Sequence, residues 1–170
     1  MVPNQELHRI ATTAIIFNLK GQVLITKRAS HKNVWPGKWT VPGGGLETDD
    51  YTTKTPTHVG ETYQWYNTLH HSVRREVLEE TGLLIGEPWL VCDLTFIRPD
   101  GIPVLVVSYA ANVIERAPGV SSIVTLDADA VDYAWVTLEE AKEYDLIDGI
   151  YNELELAFAS WELRKNKVEE

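Results

Sequence analysis

The nine residues Arg75-Glu76-Val77-Leu78-Glu79-Glu80-Thr81-Gly82-Leu83 constrain this chain more than any other stretch. At 3.6 residues per helical turn, the side chains of Glu76, Glu79 and Glu80 fall within an arc of roughly 100°, so three carboxylates share one face. Like charges at that spacing repel, each pair costing an isolated helix about 0.2–0.5 kcal/mol and more where the face is shielded from water. Arg75 can neutralise one of them. A hard divalent cation, which accepts several oxygen ligands at once, is the natural partner of the rest; the plain alternative is a solvated acidic face. What favours the cation is the approach to the helix. Trp39-Thr40-Val41-Pro42-Gly43-Gly44-Gly45-Leu46-Glu47 reads as a short strand entering a glycine turn, whose bare backbone can come close to an ion or a phosphate.

Together the two segments resemble the halves of the Nudix box, G-x5-E-x7-R-E-U-x-E-E-x-G-U, where U is a bulky aliphatic residue. Gly44 matches the first glycine, and Arg75, Glu76, Val77, Glu79, Glu80, Gly82 and Leu83 match the entire second half. The departure lies between them: Gly44 and Arg75 stand 31 positions apart where the family pattern has 14, an insertion of about 17 residues placed at about 48–66. For the middle acid of the box, Glu61 in Gly60-Glu61-Thr62 is favoured, with Asp50 (counting forward from Gly44) and Asn67 (counting back from Arg75) as alternatives.

The resemblance implies an α/β fold, an α/β/α sandwich built on a mixed β-sheet. It implies a Mg²⁺-dependent pyrophosphohydrolase, with Mn²⁺ as a second candidate metal. The ion would be held by Glu76, Glu79, Glu80 and the Gly43 carbonyl, and Arg75 would orient a glutamate by ion pairing. The proton of the attacking water would go to Glu76, with Glu79 and an acid from another loop as alternatives. Asp129, six residues before Trp135, is nominated as that further acid and as a metal ligand. The implied substrate is a nucleoside diphosphate linked to another moiety: a nucleoside triphosphate, a nucleotide sugar such as ADP-ribose, or a dinucleoside polyphosphate. Pro99, 16 residues after Leu83, hints at ADP-ribose, but its Pro-Asp-Gly turn explains it without a ligand. The alternative is a catalytically silent Nudix-like domain that binds a nucleotide or regulates; such a domain would be expected to lose box glutamates, and all three stand here.

Composition sets the outer bounds. A chain of 170 residues is long enough for one full core and short for two, so residues 1–170 are expected to form a single domain. Its 44% hydrophobic and 24% charged content is ordinary for a globular protein. Cys92 stands alone, which excludes an intrachain disulfide and a thiolate metal cage and fits a reducing, cytoplasmic setting. The N-terminus lacks the pattern of a signal peptide, and no window approaches ~18 uninterrupted apolar residues. A net charge of −10 argues against a nucleic-acid duplex or a membrane surface as partner. A small phosphorylated substrate is compatible with it, since a bound cation and a few basic side chains reverse the local potential. A homodimer through the aromatic insertion or a sheet edge is equally compatible.

Along the chain, residues 11–17 and 22–28 are β-branched runs joined by Asn18-Leu19-Lys20-Gly21, a hairpin pattern. Arg28, at the end of the second run, is a candidate for a substrate phosphate, which its planar fork can bind bidentately. Trp39 reads as core. The insertion turns aromatic at Tyr63, Trp65 and Tyr66; one reading is a surface loop packed on itself, the other a lid with Trp65 stacking on a base. Asn67 or Thr68 caps the acidic helix and Gly82 stops it; His70 and His71 lie on its surface. Runs 90–97 and 104–112 flank the turn Arg98-Pro99-Asp100-Gly101. Residues 121–130 read as a loop or edge segment and 132–136 as a strand. Thr137-Leu138-Glu139-Glu140 opens a helix with capping-box spacing, and a last helix covers about 148–165.

Overall fold

A computed structural model describes residues 4–114 and 123–166 of the chain. Its frame is a seven-stranded mixed sheet built on β1 (Arg9–Phe17), whose last four residues are buried. β1 pairs in parallel with β8 (Pro103–Asn112) along its whole length, Arg9 opposite Val104 and Phe17 opposite Asn112. β7 (Trp89–Ile97) adds to β8 antiparallel, through the Arg98–Gly101 turn. On its other edge β1 is shared. Its first half pairs with the three-residue strand β4 (Gly43–Gly45), and its last residue, Phe17, pairs with Val23 of β2 (Val23–Arg28). β2 continues into β9 (Ala130–Val136) and β3 (Trp39–Thr40).

The hairpin expected at 11–28 therefore closes only at its turn, where Gly21 takes φ +74°. Beyond it the strands part because β4 competes for the inner edge of β1. That parting opens the sheet where the glycines lie.

Each sheet face is covered by one helix, so the expected sandwich is what forms. The helix α2 (Thr68–Thr81) buries Val73 and Val77 against Ala14, Ile16 and Leu24. The C-terminal helix α3 (Ile150–Asn166) buries Leu154 and Ala157 against Ile15, Phe17 and Ile25 on the opposite face. Alternate residues of β1 thus feed two cores, as the period of a strand requires. Phe17 anchors the second core. Its ring stacks parallel to Trp161, centroids 4.9 Å apart, lies near-parallel to Trp89 at 6.4 Å and meets Phe158 edge-on at 5.1 Å.

Three local expectations change in detail. Asn67 precedes α2 in the left-handed region, φ 58°, and caps it with its backbone carbonyl, which accepts from the His70 and His71 amides; no side-chain cap bond forms. The capping box at 137–140 does form, Glu140 accepting from the Thr137 amide at 2.8 Å, but it opens only one 3-10 turn, Glu140–Glu143. Of the segment 121–130, residues 121 and 122 lie outside the described residues. Trp39 packs half-buried against Tyr144, as a core residue should.

The segment 48–66 carries a four-residue helix, α1 (Asp49–Thr52), whose Asp50 belongs to the site below, and then the two-stranded ribbon β5 (His58–Val59) and β6 (Tyr63–Gln64). Among the described residues no helix is long and apolar enough to cross a membrane.

Truncating the aromatic anchor should be severe. Phe17→Ala removes a fully buried ring from between two indoles, and an unfolding cost of about 3–5 kcal/mol is expected in urea titrations, with the transition still cooperative.

Candidate active site

The acidic face of α2 meets the glycine strand across the gap beside β1. Gly43 has φ +153°, and a β-carbon there would come within 2.2 Å of the Thr12 carbonyl oxygen, so only glycine fits. A β-carbon on Gly44 would fall 2.4 Å from the carboxyl carbon of Glu76. The two glycines are bare so that β4 can lie against β1 on one side and against a carboxylate on the other.

Arg75 ties the pieces together. Its Nε and Nη2 donate to the two oxygens of Asp50 at 2.6 and 3.0 Å, its Nη1 donates to Glu79 at 2.9 Å and stands 3.0 Å from Glu76, and Nη2 also reaches the Gly45 carbonyl at 3.2 Å. These hydrogen bonds, those donated to Asp50 foremost, raise its pKa above the usual arginine value. Asp50 is only 4% exposed. Burial pushes its carboxyl up, yet the bonds from Arg75 and from the Glu47 amide outweigh that and hold it below the ordinary value.

Asp50, the sixth residue after Gly44 and one of the alternatives for the middle acid, is paired with Arg75. Glu61 is exposed in the turn of the β5–β6 ribbon. The Gly-Glu-Thr surroundings favour Glu61 and the spacing from Gly44 gives Asp50; of the two, Asp50 is the one in contact with Arg75.

The three glutamates divide. Glu80 is turned inward, where its carboxylate accepts from the Gly43 amide at 2.9 Å, and burial raises its pKa to about 8. Glu76 is buried beside Gly44, and loss of solvent raises its carboxyl too, against the pull of Arg75. Glu79 is more than half exposed and engaged with Arg75. Among the described residues no three carboxylate, imidazole or thiol groups converge as placed.

The buried Glu76 and the half-buried Glu80 lie one turn apart, the latter with a single amide for a partner, and nevertheless form a donor set suited to a hard cation. Arg75 offsets part of the charge of Glu76.

Glu76 and Glu80 open onto a cleft of about 810 Å³. Arg28 lines it; burial lowers its pKa, opposed by the charges of Glu80 and Asp129, and its Nε donates to the Val34 carbonyl at 3.1 Å. Asp129 also lines it, held below the ordinary carboxylate range by a hydrogen bond from Lys32, with His31 at 3.4 Å. Of the residues singled out from sequence, the fold brings Gly43, Gly44, Glu76, Glu80, Arg28 and Asp129 to one cleft. Trp65 is not brought there: its Nε1 donates to the Lys54 carbonyl at 3.0 Å and its ring packs on Tyr51 and Tyr63. Of the insertion's aromatics, Tyr51 and Tyr63 thus pack on Trp65, while Tyr66 is exposed. His70 binds Glu87 on the far surface of α2. Sequence reasoning passed over Lys32 and the pair of rings Trp35 and Phe96, 5.8 Å apart, which also line the cleft. Both sit in loop or edge positions with no periodic signal.

The NUDIX domain family model matches residues 7–155 of the chain. The chain belongs to the Nudix family. It is 31% identical over 145 residues to the nucleoside triphosphatase NudI of Klebsiella pneumoniae, covering 82% of this chain and 89% of that protein. The NudI protein of Escherichia coli K12 is also 31% identical, over 132 residues, covering 74% and 80% of the two chains. Among solved structures, a MutT protein from Methanosarcina mazei superposes with a TM-score of 0.66 at 24% identity, covering 97% and 99% of the two chains. The NUDIX domain of Shewanella oneidensis NrtR, complexed with ADP ribose, gives 0.64 at 18% identity, with 94% of each chain covered. As a Nudix hydrolase, this chain is an enzyme acting on phosphoanhydride bonds.

Two linkages can be measured without substrate. Glu80 has a folded pKa above its ordinary 4.5, so its contribution to stability is full at low pH and is lost as pH rises towards about 8. In EDTA the wild type should lose a few kcal/mol across that window, and Glu80→Gln should be flatter by chemical denaturation. Asp50 has the opposite sign. Its folded pKa lies below the ordinary value of 3.8, so its contribution is present above that value and is lost as pH falls below it. Asp50→Asn should therefore destabilise at pH 7 by about 2 kcal/mol or more and approach the wild type at pH 3.

Proposed function

We propose that this chain is a divalent-cation-dependent pyrophosphohydrolase of nucleoside triphosphates, acting in the cytoplasm as a single domain. The observation that carries the reading is the buried Glu76 and the half-buried Glu80, both set against the glycine strand at the mouth of a large cleft that Arg28 and Lys32 also line. The similarity to NudI proteins, named nucleoside triphosphatases, favours that substrate class over ADP-ribose and dinucleoside polyphosphates.

Glu76, Glu80 and the Gly43 carbonyl would hold Mg²⁺ or Mn²⁺, with Glu79 joining if it leaves Arg75 and Asp129 if it leaves Lys32. Such an ion, when bound, neutralises phosphate charge and lowers the pKa of water. The chain's own groups do the rest. Arg28, and Lys32 once released by Asp129, bind the phosphate oxygens and hold the anhydride in line. Gly44 leaves room for the substrate to approach Glu76. Glu76 takes the proton of the attacking water, for which its burial-raised pKa suits it, with Glu79 as the second candidate. Arg75 is a positioning residue that fixes the helix face against β4.

A mixed panel of nucleoside triphosphates, ADP-ribose and dinucleoside polyphosphates, assayed with Mg²⁺ for release of phosphate, pyrophosphate or nucleoside monophosphate, tests this. Glu76→Gln and Glu80→Gln are each expected to lower kcat/KM on the preferred triphosphate by about 100-fold or more. Turnover that persists in both variants, or that is unchanged in EDTA, overturns the reading.

A further inference from the structure

Beyond the phosphate end, the cleft runs onto the α3 face of the sheet, and there β1, β8 and β7 lay their residues out in rows. Ala11, Val106 and Leu94 stand opposite one another across the three strands. All three line the cleft, a flat apolar row. The next row towards α3 is polar: Thr13 opposite Ser108, with Cys92 beyond. Above it sits Glu153 of α3, 7% exposed and part of the cleft wall.

The polar row is directional. Thr13 Oγ1 donates to Ser108 Oγ at 2.8 Å, and Ser108 Oγ donates in turn to Glu153 Oε2. Both hydroxyl protons are spent in sequence, so the chain ends on a carboxylate. Among the described residues nothing donates to the second oxygen of Glu153, Oε1. A buried carboxylate with a vacant acceptor at the end of a flat apolar slot suits a planar ring with an N–H on its edge. The phosphate-binding scheme above makes no use of it.

We propose that Glu153 selects the nucleobase: Oε1 accepts a hydrogen bond from an exocyclic amino group while the ring lies on Ala11, Val106 and Leu94. The cleft then prefers adenine, guanine and cytosine over uracil and thymine, whose imide N–H is flanked by carbonyl oxygens that an anionic acceptor repels. The ring assignment rests on the nucleotide reading above, but its test does not require turnover.

The test is binding of AMP, GMP, CMP, UMP and TMP, with Mg²⁺, by calorimetry. The wild type should bind the three amino-bearing monophosphates roughly tenfold tighter than the other two. In Glu153→Gln, which keeps the size and removes the charge, that ratio should fall towards one, while Ser108→Ala, which leaves the carboxylate in place, should keep it. If Glu153 merely ties α3 to the sheet, Glu153→Gln will shift Tm and all five affinities together, and the proposal fails. It fails equally if the wild type does not distinguish the five or binds none at millimolar concentration; either result stands on its own even if Glu153→Gln does not fold. Loss of triphosphate hydrolysis with the binding ratio intact would count against the hydrolase reading and leave this one standing.

Discussion

The structure depends on one guanidinium. Arg75 stands between two segments with no other strong reason to meet, the acidic helix and the turn after the glycine strand, and its donors serve Asp50, Glu79 and the Gly45 carbonyl while it stands beside Glu76. Asp50 is almost wholly buried, so the pair is worth keeping only as a pair: removing either member leaves the other charge without a partner where water hardly reaches. Because Arg75 engages Asp50 and Glu79 together, the helix face is set in rotation as well as in distance. Glu76 and Glu80 then have no choice but to point at β4.

That geometry separates charges a simple count would lump together. The chain carries a net charge of −10, yet Arg9, Arg28, Lys32 and Arg98 line the cleft. Acidic side chains line it too, among them Asp129, which Lys32 engages, and Glu76, which stands beside Arg75. A polyanionic substrate would therefore meet four basic side chains together with the carboxylates of Glu76 and Glu80, an arrangement in which a divalent ion can be shared between protein and phosphate.

How much of this was legible depended on whether a residue's role was carried by local spacing. The helix 68–81, its stop at Gly82 and the strands either side of the 98–101 turn followed from periodicity and turn chemistry, and so did the sandwich through the box they resemble. Glu76, Glu80, Gly43 and Gly44 share a cleft because the box is one local unit. What failed to show was long-range. The hairpin pattern gave no sign that β4 would displace β2 from most of β1. The Trp65 ring was free in sequence but is occupied by Tyr51 and Tyr63 in space. Glu153 has no local spacing to mark it, and its burial beside Ser108, 45 positions away, follows only from the packing of the last helix on the sheet.

The pairing of β1 with β8 has a consequence for how the enzyme comes into being. Thr13 and Ser108 lie 95 residues apart in sequence, and the parallel register that joins them runs unbroken from one end of the strand to the other. Closing so large a loop is entropically expensive and topologically slow. Until it closes, the chain can hold its acidic helix, its turns and its glycine bend, but the floor on which a ring would rest does not exist. A nascent chain emerging from the ribosome thus has the catalytic motif complete some thirty residues before it has anywhere to put a substrate, and the long strand that follows the 98–101 turn is the one that gives the motif its purpose.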